Sequence, residues 1–113
     1  MASRSIQLKK VIRDFRKAIS SRITPKKIIL FGSYAYGKVH KHSDIDLAVV
    51  SPAFAKMSDI ERIMLLSDLS RSVATPGSVD IDPLGFTEEE LQKAGYFDIA
   101  AEIRDKGKIV YSH

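Results

Sequence analysis

The chain has 113 residues, 44% hydrophobic and 28% charged, which suits one ordinary globular domain with a single core spanning residues 1–113. It has no cysteine, so disulfide frameworks and thiolate metal sites are excluded. The longest apolar runs, such as residues 28–31, are far too short to cross a bilayer, and the N-terminus lacks the apolar stretch of a signal peptide, so the expected setting is the cytoplasm, without a membrane partner.

The net charge of +4 is concentrated at one end. Nine of the 18 Lys and Arg fall within residues 1–27, against one acid, Asp14. Residues 5–21 predict an amphipathic helix, with Leu8, Val11, Ile12, Phe15, Ala18 and Ile19 at helical spacing and Lys and Arg opposite. Such a basic face can meet RNA or an acidic protein, or simply be solvated.

Pro25 leads into a β-branched and aromatic run at 27–31, read as a strand that Gly32 ends. One or two helical turns follow at 33–38, then a polar loop to Ser43. Its segment Lys38-Val39-His40-Lys41-His42 is basic and carries two histidines, too weak a pattern for a transition-metal site. The next strand covers 44–50, with Ile45, Leu47 and Val49 on one face and Asp44, Asp46, Ala48 and Val50 on the other. Ser51-Pro52 stops it. Phe54 and Met57 fall outside the core periodicity and are candidates for a contact surface, including one between copies of the chain.

Ser58-Asp59-Ile60-Glu61 is a capping-box pattern opening a helix to about Ser72, carried by Ile60, Ile63, Met64 and the leucines at 65, 66 and 69. A turn at 75–77 precedes a third strand at 78–82, ended by Pro83 and Gly85. A second capping box at 87–90 opens a short helix. Another helix is expected over 96–106 with Gly107 as its cap, then a last strand at 108–111. Tyr96, Phe97 and Tyr111 are expected to pack these C-terminal elements. The order predicts an α/β (α+β) domain with helices covering one side of a small sheet.

Two motifs carry chemistry. A glycine after a strand lets a ligand approach the backbone closely, and the first N–H groups of a following helical turn, with the Ser33 hydroxyl, are donors for phosphate oxygens. Residues two apart on a strand share a face, so Asp44 and Asp46 present oxygen ligands side by side. Hard cations such as Mg²⁺ take carboxylates plus substrate phosphates, and two ions roughly 3.5–4 Å apart serve in-line displacements. Val79-Asp80-Ile81-Asp82 repeats the alternation. If the two strands are neighbours, up to four carboxylates gather on one face, an arrangement that repels itself unless a cation is bound.

With its Gly32-Ser33 pair, ten intervening residues, Asp44-Ile45-Asp46 and a later Asp80, the chain resembles the minimal nucleotidyltransferases (MNT) of the polymerase-beta-like nucleotidyltransferase superfamily. The resemblance implies a small mixed-sheet palm fold. It implies that Gly32 and Ser33 bind the triphosphate, that Asp44 and Asp46 hold Mg²⁺, and that Asp80, preferred over Asp82, completes the metal site and helps activate the incoming hydroxyl. Two Mg²⁺ ions and ATP as substrate are implied. The reaction would move AMP from ATP to a hydroxyl, the acceptor being a tyrosine of a partner HEPN-domain toxin in a toxin–antitoxin pair. The other readings are a non-catalytic antitoxin that neutralises its partner by contact, and an RNA-binding module built on the basic first helix. The last is disfavoured because no aromatic-interleaved basic motif is present.

Overall fold

In the computed structural model, residues 4–39, 44–75, 77, 79–95 and 98–113 are described, with side chains from Gln7 onward. The elements run α1 (Arg4–Ser20), β1 (Lys27–Phe31), α2 (Ser33–Tyr36), β2 (Ile45–Val50), a 3₁₀ turn (Pro52–Lys56), α3 (Asp59–Val73), β3 (Ile81–Phe86), α4 (Glu88–Gln92), α5 (Ile99–Lys106) and β4 (Lys108–Ser112). The sheet order is β3-β2-β1-β4. β1 is antiparallel to β2 and β4, whereas β2 and β3 are parallel, with the 3₁₀ turn and α3 forming the crossover.

The period-two pattern of β2 sends its side chains into two cores. Ile45, Leu47 and Val49 join Phe15 and Ile19 of α1 and Leu66 and Leu69 of α3. Ala48 and Val50 meet Leu91 of α4 and Ala100 and Ile103 of α5 on the other face. Helices therefore cover both faces, not one. The short C-terminal helices bury the second apolar row, which would otherwise be wet.

Three other expectations change. The third strand runs over 81–86, through Pro83 and Gly85, because β3 is an edge strand where a missing N–H costs no ladder bond on the solvent side. Phe54 is fully buried, not a contact residue. A Cβ on Gly85 would stand 3.0 Å from the Phe54 ring, so that glycine makes room for it. On α3 the apolar periodicity misleads. Ile60, Ile63 and Met64 are exposed, while Arg62 is buried.

Both capping boxes form, Ser58 with Glu61 and Thr87 with Glu90. The last helix starts at Ile99, and Tyr96 and Phe97 lie outside the described residues. Gly107 follows it with φ −69°, so it is not a left-handed cap. A Cβ there would lie 2.4 Å from Ile29 Cγ2, and close packing is what requires the glycine. Tyr111 packs against the first core and lies under the Arg16 guanidinium, 5.2 Å from the ring centre. Among the described residues no helix is long and apolar enough to cross a membrane.

Candidate active site

The antiparallel register of β1 on β2 puts Phe31 opposite Asp46, so the chain leaves β1 at Gly32 directly beside that carboxylate. Gly32 adopts φ 70°, ψ −154°, a conformation that L side chains rarely take. A Cβ there would lie 2.1 Å from Asp46 Oδ2. The glycine thus serves twice, by allowing the turn and by letting the backbone touch the acid. Its carbonyl accepts from the Ala35 and Tyr36 N–H groups at 3.0 and 3.1 Å, which curls α2 into a single turn. Gly37, at φ 75°, closes that turn with its N–H on the Ser33 carbonyl. Ser33 and Tyr34 open the turn, where N–H groups have no partner inside the helix and can receive an anion.

The parallel register of β2 on β3 sets Asp46 level with Asp82. Carried one residue outward, past the Ile45 N–H to Asp80 carbonyl bond of 2.8 Å, it sets Asp44 level with Asp80. Alternation then places all four acids on one face of the sheet. Asp46 is the half-buried member, and its carboxyl is hydrogen-bonded to that of Asp82. Burial first, then the charges of Asp82 and Asp44, push its pKa up to about 6. Asp44, Asp80 and Asp82 are exposed and border one cavity of about 350 Å³. Asp82 lies within β3 and Asp80 just ahead of it, so the acid in contact with Asp46 is Asp82. Asp80 borders the cavity, as Asp82 and Asp44 do, but is not the acid bonded to Asp46.

This donor set suits a hard divalent cation. A cation beside Asp46 would relieve the repulsion that raises its pKa, and carboxylate oxygens are the ligands such ions take. Among the described residues no three acidic or imidazole groups form a ready-made cluster.

Arg71, at the end of α3 and paired with Asp68, lines the carboxylate cavity with Ser70. That placement depends on contacts between segments remote in sequence, so no local spacing announces it. Tyr36, which the sequence sets beside the glycine turn as a ring to stack on a base or pack the short helix, reaches α5: its Oη donates to Glu102 at 3.5 Å, and its phenol pKa is raised by burial and by Glu102. Tyr34 is partly buried against the first core. His40, Lys41, His42 and Ser43 lie outside the described residues.

Known proteins resemble this chain in sequence and in fold. "Putative protein adenylyltransferase MJ0604" of Methanocaldococcus jannaschii is 30% identical over 104 residues, covering 90% of this chain and 96% of that protein. A crystal structure described as a putative nucleotidyltransferase from Sulfolobus solfataricus superposes with a TM-score of 0.63 at 18% identity, over 95% of this chain and 78% of its own. A crystal structure of a toxin–antitoxin with AMP-PNP superposes with a TM-score of 0.60 at 25% identity, over 93% of this chain and 73% of its own. The sequence profile of the nucleotidyltransferase domain matches residues 12–111. Since that span takes in the glycine turn, both aspartate strands and the helices on either face, the chain belongs to the nucleotidyltransferase domain family and is a nucleotidyltransferase related to protein adenylyltransferases.

Proposed function

We propose that this protein is a Mg²⁺-dependent, cytoplasmic adenylyltransferase that moves AMP from ATP to a tyrosine hydroxyl of a partner protein, the toxin of a HEPN–MNT pair. The observation that carries the reading is the packing of the Gly32 backbone against the Asp46 carboxyl, which makes one continuous surface of a phosphate cradle and an acid cluster. The relative solved with AMP-PNP, an ATP analogue, and described as a toxin–antitoxin supports both the nucleotide and the kind of partner.

Gly32 and Ser33 receive triphosphate oxygens at the mouth of α2. Asp44, Asp46 and Asp80 would hold two Mg²⁺ ions, which would supply charge neutralisation and Lewis acidity. The acceptor oxygen attacks the α-phosphorus, the bond to the β-phosphate oxygen breaks, and pyrophosphate leaves. Asp80, open to the cavity, takes the hydroxyl proton. Asp82, hydrogen-bonded to Asp46, raises the pKa of that carboxyl and so sets how readily it ionises. Placement and charge stabilisation supply the rate, and no covalent enzyme intermediate is needed.

The test is incubation with α-labelled ATP, Mg²⁺ and a HEPN-domain protein from a neighbouring gene. Label on a tyrosine of the partner, lost with Asp44→Asn or Asp46→Asn while the complex still forms, is the expected result. Equal protection by the unlabelled complex, with no transfer from either folded protein, overturns it.

A further inference from the structure

The basic cluster at the start of the chain is not used by the transfer reaction, and the structure shows how it is displayed. At 100° per residue Lys9, Lys10, Arg13, Arg16 and Lys17 fall within about a third of the circumference of α1. That sector lies opposite the row of Leu8, Val11, Phe15 and Ile19 that faces the core. Lys9, Lys10, Arg13 and Lys17 are exposed, while Arg16 stacks on Tyr111. Among the described residues Lys9, Lys10 and Lys17 have no carboxylate within ion-pair distance, and Arg13 reaches only Asp14, at 3.7 Å. Lys9, Arg13 and Lys17 follow one another at i, i+4 and i+8, about 6 Å apart along the axis. Like charges so placed destabilise a helix. Exposed Arg22 and Lys26 continue the positive surface beyond the helix end.

We propose that this face of α1 is a binding surface for single-stranded RNA, held through its phosphate backbone without base reading. Among residues 7–20 the exposed positions of the face carry no apolar or aromatic residue, and protein interfaces are depleted in lysine and anchored by aromatic or apolar side chains. A repeated point-charge ladder lacking such an anchor matches a chain of regularly spaced phosphates better than a folded protein partner. The one ring at this face among the described residues, Tyr111, is covered by Arg16, which limits recognition to the backbone.

The experiment is a fluorescence-anisotropy titration of a labelled 20-nucleotide oligo(U) with the full chain, without nucleotide, across a salt series. Three to five phosphate contacts predict that log K falls with log salt at a slope of about −2 to −3.5. The triple variant Lys9→Glu, Arg13→Glu, Lys17→Glu should weaken binding more than tenfold and flatten the slope by about 2. The control Lys93→Glu, Lys106→Glu, Lys108→Glu changes net charge equally at other surfaces, and circular dichroism checks that both variants fold. Equal losses in the two variants, no change in either, or tighter binding of poly-glutamate than of oligo(U) overturns the proposal, the last in favour of an acidic protein partner. Adenylyl transfer to the partner protein should be unchanged in the triple variant, so failure here is distinguishable from failure of the enzymatic reading.

Discussion

The paired strands β2 and β3 end in two charged regions of opposite design. At one end Asp46 meets Asp82, with Asp44 and Asp80 beyond, and no cationic side chain is bonded to any of the four among the described residues. At the other, Arg62 is almost fully buried yet completely engaged. Its guanidinium donates to both oxygens of Glu90, at 2.7 and 3.1 Å, and to the carbonyls of Gly85, Phe54 and Met57. It also lies 5.6 Å over the Phe54 ring. Glu90 in turn accepts the Thr87 N–H at 2.7 Å, which opens α4. The charge that serves the fold has its counter-charge within the chain, whereas the acid cluster has none among the described residues.

The pKa shifts of the two regions run in opposite directions. Arg62 holds the Glu90 carboxyl below its ordinary value, so the stability it contributes is present above about pH 4 and is lost as pH falls further. Asp46 is pushed up to about 6. The folded state therefore keeps a proton that the unfolded state has lost between about pH 4 and 6, and this contribution declines as pH rises through that window.

The largest expected effect is on chemistry at the acid end. Asp46→Asn should lower adenylyl transfer by on the order of 10³-fold, measured as labelled AMP on the partner, because ionic stabilisation of the reacting phosphate is removed. Gly32→Ala should lose transfer comparably, since the new methyl displaces the Asp46 carboxyl and strains a left-handed residue. Asp82→Asn separates the two candidate third carboxylates. Transfer should survive it and fail with Asp80→Asn.

The next effect belongs to the other end. Arg62→Ala should destabilise by about 2–3 kcal/mol, seen as a melting temperature lower by roughly 10 °C, because three carbonyls lose a donor and Glu90 loses its partner. Activity per folded molecule should persist, and its loss would remove the distinction between the two ends.

A smaller effect sharpens the comparison. In EDTA at pH 7.5, Asp46→Asn should stabilise the fold by about 1 kcal/mol after solvent screening of the repulsion is allowed for. Adding Mg²⁺ should raise the melting temperature of the unsubstituted chain more at pH 7.5 than at pH 5, where Asp46 holds its proton. Removing the Lys93–Glu89 pair, exposed on both sides, should change stability by less than about 0.5 kcal/mol.

Local chemistry was readable without the fold. Ser58 with Glu61 and Thr87 with Glu90 mark helix starts because capping bonds join residues three apart. The alternation of Asp44, Ile45, Asp46 and Leu47 marks a strand with one acidic face, because side chains change sides at every residue. Gly32-Ser33 and the aspartates together marked a candidate site through their spacing and the family resemblance it carries. Tertiary structure decided what depends on register and packing between distant segments. It placed Asp82, not Asp80, against Asp46, brought Gly32 onto that carboxyl, buried Arg62 and Phe54 where periodicity favoured Ile60 and Ile63, and used α4 and α5 to cover the second face of the sheet. Spacing along a chain sets which side chains share a face, but only the pairing of strands and the filling of the core determine which faces meet.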